Sequence, residues 1–428
     1  MFTLTKEYAQ HLDSENPMLE YRKRFLSPTF GDVYLEGNSL GLLSIDAEQS
    51  MANFMEQWKS WGIGGWLNAD PDWFTLGERL GAMMAPLVGA EPDEVVATGT
   101  TTVNLHALVS TFYRPVATRR KILATSLDFP SDVYALKSQI ALRGGDADRD
   151  LMLVESNDGR CIDEDDVVRA MTSDVALCVL PSVLYRSGQL LDIERLAAIG
   201  RERGIPVGFD CAHSVGAIPH RFDDWNVDFA FWCTYKYLNA GPGSIGALYI
   251  NRQHFDRVPA MSGWWGYDKD RQFDMSHEWK GARGAGAWQI STVDVLSGSS
   301  LLGSLQLFDD IGIQSIREQS LKLTDYLITL LQSLGLMESP YRYRLGTPTE
   351  HRRRGGHVAI EHDNGESISR ALRNRGIVCD FRPPDVIRMA PVALYISFHD
   401  VWRAVQELKA IIDAGEHLDQ HEDRGLVT

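Results

Sequence analysis

Lys236 and Asp210 are the two residues whose types and spacing point most directly to chemistry. Lys236 stands in Cys233-Thr234-Tyr235-Lys236-Tyr237-Leu238, behind the apolar run Asp228-Phe229-Ala230-Phe231-Trp232 and ahead of the Gly/Pro loop Asn239-Ala240-Gly241-Pro242-Gly243. A lysine belongs on a solvated face, because burying an unpaired ammonium is costly. Held at the end of an apolar strand it is partly desolvated, and a desolvated amine is a usable nucleophile toward a carbonyl cofactor. Asp210 closes the run Ile205-Pro206-Val207-Gly208-Phe209-Asp210, about 26 residues earlier. In an open parallel sheet, ligands sit beyond the carboxyl ends of the strands. Neighbouring strands that end in Asp and Lys would present both groups to one ring. The carboxylate would meet the pyridine nitrogen of pyridoxal phosphate (PLP), and the amine its aldehyde. Alone, Asp210 also fits a helix cap and Lys236 a strand-end surface lysine. The pair points to PLP.

The elements that must position this pair follow from hydrophobic patterning. Glu94-Val95-Val96-Ala97 reads as a strand, and Thr98-Gly99-Thr100-Thr101-Thr102 then opens the helical pattern from Val103 to Val109. Free N–H groups and the helix dipole make such a turn an anion site, although threonines there are also ordinary N-caps. Phe129 follows the strand Ile122-Leu123-Ala124-Thr125 and suits stacking on a flat ring or a place in the core. Val175 to Leu180 is another strand, with a helix near 192–203, then the Asp210 strand, the Lys236 strand and Ile245 to Ile250. Strands alternating with helices imply an α/β fold, a doubly wound and mostly parallel sheet with right-handed crossovers.

Outside this frame, a helix rich in tryptophan and methionine is expected near 46–60. The glycine/aromatic stretches Trp61 to Trp66, Ser262 to Tyr267 and Gly281 to Trp288 read as irregular, the first as a candidate substrate-facing loop. A long helical pattern spans about 293 to 334 with a break near Gly312. The composition shifts at about 340–356, and Arg352-Arg353-Arg354 within it reads as a solvated face. Three parts are expected: an N-terminal segment, 1–45, packing with the small domain; a large PLP-binding domain, 46–320; and a smaller α+β domain, 321–428.

The chain has 428 residues, 44% hydrophobic and 23% charged, with a formal net charge of −16. That balance suits a soluble globular protein and argues against nucleic-acid or anionic-membrane partners. No apolar run approaches the roughly 20 residues of a membrane span. The first residues lack a signal-peptide pattern. Five scattered cysteines (Cys161, Cys178, Cys211, Cys233, Cys379) have no metal-ligand spacing, and four lie in apolar runs as small core residues. The expectation is a cytoplasmic, reduced protein with no metal site.

Taken together, several segments carry a resemblance to the kynureninase family, fold-type-I PLP enzymes of the aspartate aminotransferase superfamily. They are Tyr34-Leu35-Glu36-Gly37-Asn38-Ser39-Leu40-Gly41, Thr102-Val103-Asn104-Leu105-His106, Phe129-Pro130-Ser131-Asp132, and Phe209-Asp210-Cys211-Ala212-His213. Further on come Tyr235-Lys236-Tyr237-Leu238-Asn239, Ser262-Gly263-Trp264-Trp265-Gly266 and Arg388-Met389-Ala390-Pro391 leading into Ser397-Phe398-His399-Asp400. They run in order over nearly the whole chain. The resemblance implies a Schiff base at Lys236, pyridine-nitrogen pairing by Asp210, stacking by Phe129, and Asp132 and His213 around the ring. Thr101, Thr102 and Tyr235 would bind phosphate, joined by Trp264 and Thr292 from the second subunit of a homodimer. Arg388 would hold the α-carboxylate of a small amino-acid substrate, with Asn38, Ile63 and Ser291 also on the substrate.

The implied reaction is hydrolytic Cβ–Cγ cleavage of L-kynurenine, 3-hydroxykynurenine or a substituted kynurenine to an anthranilate and L-alanine, as in tryptophan catabolism or NAD biosynthesis. This chain departs from the family pattern at Ile63, at Tyr267 and at Val293, positions bordering the side-chain end of the substrate. These departures leave open a related PLP tailoring enzyme performing β-elimination or decarboxylation on another amino acid.

Overall fold

The computed structural model describes residues 4–418. Seven strands form the large sheet: β1 (Val95–Ala97), β2 (Lys121–Thr125), β3 (Leu151–Val154), β4 (Val175–Pro181), β5 (Val207–Asp210), β6 (Phe229–Trp232) and β7 (Ala247–Ile250). Their spatial order is β1-β7-β6-β5-β4-β2-β3, and β7 alone runs against the others. Side chains alternate across the sheet. Phe229 and Phe231 of β6 join one buried cluster, and Ala230 and Trp232 join another. Ile122 and Ala124 of β2 lie with the first cluster, and Leu123 with the second. Two cores on opposite faces explain why the strands read as continuous apolar runs, and they make the sheet doubly wound.

Four more strands build an antiparallel sheet: β8 (Arg344–Leu345), β9 (Val358–Glu361), β10 (Asp380–Arg382) and β11 (Val386–Met389), in the order β10-β11-β9-β8. Val33–Tyr34 pairs in parallel with Ile377–Val378, so the N-terminal segment adds its strand beside this C-terminal unit. Asp13 fixes the same junction, its carboxylate accepting from the N–H groups of Phe398 and His399 at 2.7 and 3.0 Å.

The long helical pattern is two helices, Val295–Ile311 and Ile313–Ser333, broken at Gly312 with φ +79°. The second runs straight through the expected boundary at 320. The stretch after Trp61 is not irregular: a 3-10 turn at Gly62–Gly64 leads into a short helix at Gly65–Asn68. Gly65 is required there by close approach, because an added Cβ would lie 2.2 Å from the Trp73 ring. The arginine run is not wholly solvated either. Arg354 is 1% exposed and pairs with Asp325, while Arg352 is exposed. Four cysteines are buried and all five are free. Among the described residues no helix is long and apolar enough to cross a membrane.

Candidate active site

β5 and β6 are adjacent and parallel, with Asp210 opposite Phe231 in register. Asp210 is the last residue of β5, and Lys236 lies in the turn four residues beyond β6. Both line one cleft at the carboxyl edge of the sheet, with Thr101, Thr102, Phe129, Asp132, His213 and Tyr235. One chain therefore gathers eight of the residues singled out in the sequence. The topology explains why, since each stands at or just beyond the carboxyl end of β1, β2, β5 or β6.

Thr101 and Thr102 open the helix Thr101–Phe112, and its N-cap Thr100 makes no side-chain cap. Its first-turn N–H groups therefore face the cleft uncapped by that side chain, beside the Thr102 Oγ1···Ser131 Oγ contact of 2.9 Å. Gly99 makes the turn possible: its φ is +52°, and an added Cβ would lie 2.6 Å from Asn104 Oδ1. Phe129 precedes the helix Pro130–Leu142 and stands half exposed over the cleft, edge-on to Tyr185 with centroids 5.3 Å apart.

Three buried carboxyl groups lie beneath. Burial, then the charges of Asp210 and Asp128 and the contact with Asp210, pushes Asp132 well up. Asp210 is also raised by burial, opposed by the Lys236 charge, the Ala212 N–H and the Asp132 bond. Asp128, bonded by Thr125 Oγ1 at 2.5 Å, is pushed by burial up to about 7. Above them Lys236 Nζ lies 3.0 Å from His213 Nε2. Burial, then the Lys236 and Arg388 charges, drives His213 well below the usual imidazole range, so it is neutral and accepts from the amine.

These features suit a phosphorylated pyridine aldehyde. The helix N-terminus and paired hydroxyls form an anion cradle, Asp210 is a carboxylate for the ring nitrogen, Phe129 offers an aromatic face, and Lys236 is the amine. No group of three or more metal-ligating side chains occurs among the described residues.

The other expected residues lie elsewhere. Arg388 is 1% exposed and one layer behind the cleft: Nη1 donates to the carbonyl of the wall residue Tyr185 at 2.7 Å, Nη2 to Ser39 Oγ at 2.9 Å, and Nε to Asp380 at 2.7 Å. Arg382 reaches the same Asp380 at 3.0 Å. Asn38 is wholly buried, with both side-chain polar atoms unpartnered among the described residues. Ile63, Trp264, Ser291 and Thr292 do not line the cleft of their own chain. Ile63 is 85% and Trp264 47% exposed, and Ser291 and Thr292 are exposed as well. Tyr267 and Val293 are buried, Tyr267 edge-on to Trp279.

Sequence reasoning did not assign Tyr185, Asp128 or Arg382. Tyr185 follows the end of β4, the same positional signal that marks Asp210. Asp128 and Arg382 carry no local signal, because their partners come from other segments.

The family model described as the kynureninase C-terminal domain matches residues 316–408. Kynureninase from Geobacillus thermodenitrificans is 48% identical over 99% of this chain and 98% of its own length. The kynureninases of Bacillus anthracis (48%, 100% and 99%) and Shouchella clausii (49%, 99% and 98%) are similarly close. Among solved structures, the apo cysteine desulfurase of Thermococcus onnurineus NA1 superposes with a TM-score of 0.78 at 18% identity, covering 93% of this chain and 98% of its own. A lysine-to-alanine mutant of C-DES with glycine covalently linked to its PLP cofactor gives 0.76 at 18% identity, covering 90% and 98%. The desulfurases share the fold, that of fold-type-I PLP enzymes, and full-length identity near one half supplies the closer kinship: the chain belongs to the kynureninase family.

Proposed function

We propose that this protein is a PLP-dependent hydrolase that cleaves the Cβ–Cγ bond of L-kynurenine or 3-hydroxykynurenine. Water adds across the bond, and the products are the corresponding anthranilate and L-alanine. The observation that carries this reading is the 48–49% identity to kynureninases over essentially the whole chain.

PLP, when bound, supplies an electron sink for charge developing at the substrate α-carbon. The helix N-terminus at Thr101 and Thr102 binds the phosphate, with Tyr235, whose hydroxyl burial keeps protonated and able to donate. Asp210 holds a proton on the ring nitrogen, and Asp132, raised by burial beside it, orients Asp210. Phe129 covers one face of the ring. Lys236 moves the α-proton at Nζ, and His213 Nε2 receives the hydrogen bond that holds the amine in place. Arg388, with Arg382 beside it, takes the substrate α-carboxylate.

Trp264 and Thr292, exposed in one chain, reach the phosphate of a second chain in a two-fold dimer, and Ile63 and Ser291 border the aryl end of the substrate. The chain divides at 1–45, 46–320 and 321–428, and every residue lining the cleft falls in the large part. Incubation of the PLP-loaded protein with each kynurenine, with products identified by mass spectrometry, tests the reading. Anthranilate or 3-hydroxyanthranilate in step with alanine is expected; no cleavage of either substrate by loaded protein refutes it.

A further inference from the structure

His213 has a second neighbour that the chemistry above leaves unused. His357 opens the segment leading into β9 and is wholly buried. Its ring lies against the His213 ring, with centroids 5.8 Å apart and planes inclined at 59°. Both its nitrogens, and Nδ1 of His213, are buried with no hydrogen-bond partner among the described residues. The Tyr237 hydroxyl is likewise buried and unpartnered. An added Cβ on Gly356, the residue before His357, would come 2.9 Å from it. Buried polar atoms are almost always satisfied, and one left unpaired carries its full desolvation cost. Unpaired polar atoms on two buried rings packed against each other behind a lysine are the surroundings that hold an internal water, which takes two to four polar partners.

We infer that His357 and His213 share one ordered water, and that His357 through this water is a positioning residue for Lys236. The inference rests on the role proposed above for Lys236. The hydrogen-bond directions are then fixed from end to end. Lys236 Nζ donates to His213 Nε2, so the single ring proton of His213 sits on Nδ1. That N–H donates to the water, and the water donates to a ring nitrogen of His357. The remaining His357 N–H faces the Arg186 carbonyl, which favours it without meeting hydrogen-bond geometry. Both rings must be neutral for this pattern. Burial, then the Arg388 charge, holds His357 down at about 3, and burial with Lys236 and Arg388 keeps His213 low as well. Without His357 the water loses an acceptor, and His213 can turn its proton toward Nε2. That tautomer faces Lys236 with a donor where an acceptor is needed.

Two measurements on cofactor-free protein test this apart from any substrate. In a crystal structure that resolves waters, one is expected within about 3.2 Å of both His213 Nδ1 and a His357 ring nitrogen. No water there, or a direct His213–His357 hydrogen bond, overturns the inference. In 15N spectra of histidine-labelled protein, the His213 signal, identified by its loss in His213→Gln, should report the Nδ1–H tautomer alone. It should become a mixture in His357→Phe and return in His357→Gln, whose amide can accept from the water. An unchanged signal in His357→Phe refutes the relay. With kynurenine and loaded protein, His357→Phe should lose roughly ten- to a hundredfold in kcat, the scale of a misplaced catalytic group, with KM within about twofold. His357→Gln should recover most of that loss. A Gln variant as slow as Phe would mean that His357 only fills space. Wild-type protein that cleaves neither kynurenine would refute the functional reading and leave both cofactor-free measurements standing.

Discussion

Arg388 and Asp380 face each other from adjacent strands of the small sheet and pair through both edges of the guanidinium, Nε to Oδ1 at 2.7 Å and Nη2 to Oδ2. Both side chains are 1% exposed. Burial alone would raise Asp380. The bonds and charge of Arg388, with the charge of Arg382, hold it below the ordinary carboxyl range. The arginine is therefore fixed in orientation before any substrate arrives. With the Tyr185 and Ser39 contacts, only an Nη1–H remains to meet a carboxylate, unless the substrate displaces Asp380.

Arg388→Lys replaces this fork with a point charge. We expect KM for kynurenine to rise at least tenfold, from loss of a charge-assisted bond of about 1.5–3 kcal/mol. The urea midpoint should fall as well, because Asp380 is left under-satisfied. Steady-state kinetics and urea unfolding of the same variant separate the two effects. A lowered midpoint with KM within twofold would make Arg388 a structural partner of Asp380 and move the carboxylate to Arg382.

Asp128 should make the cofactor-free protein less stable as pH rises. Burial pushes its carboxyl up to about 7 from the ordinary 3.8. Between these values the folded chain holds a proton that the unfolded chain has released, so stability falls across that window and levels off above it. Asp128→Asn removes this dependence while keeping the shape. Its urea midpoint relative to wild type should be higher at pH 8 than at pH 5, by the equivalent of roughly 1–4 kcal/mol. Equal differences at the two pH values would mean that Asp128 is ionised throughout.

Lys236→Ala removes the amine expected to join the cofactor covalently. The purified variant mixed with PLP should lack the visible band of lysine-bound cofactor, and turnover should fall below detection. The phosphate cradle at Thr101 and Thr102 is untouched, so PLP should still bind, removable by dialysis. Retention of the band would place the reactive lysine elsewhere.

The cleft was legible in the sequence because a sheet buried on both faces writes its strands as apolar runs, and the first polar residues after such runs stand at its carboxyl edge. Asp210 and Lys236 are of this kind. What was missed depends on distant partners. Arg354 looks like one of three solvated arginines until the helix Ile313–Ser333 brings Asp325 beside it. His357 sits in a glycine-flanked stretch with no periodicity to mark it, and its meaning comes only from the His213 ring. The short helix at Gly65–Asn68 was missed because Gly65 is there to let the Trp73 ring approach, a distant partner the local sequence does not show. β3 was overlooked as a four-residue edge strand behind the acidic stretch Asp146 to Asp150.

The surface around Ile63 leads to the last prediction. Trp58, Trp61, Ile63 and Leu67 are 54%, 52%, 85% and 69% exposed along one stretch, and Trp264 is 47% exposed elsewhere in the chain. Large apolar side chains grouped on a surface mark an interaction site. If two copies meet two-fold there, Trp264 and Thr292 of each can complete the cleft of the other. Subunit mixing tests this without a structure of the dimer. Lys236→Ala homodimers and Trp264→Ala/Thr292→Ala homodimers should each be nearly inactive. A heterodimer of the two has one cleft with Lys236 from one subunit and intact Trp264 and Thr292 from its partner. Random exchange makes half the dimers mixed, each with one working cleft, so recovery should approach about a quarter of wild-type activity. If all three roles instead belong to one chain, every cleft in the mixture lacks something. Demonstrated exchange with no recovery would then return Trp264 and Thr292 to a role within their own subunit.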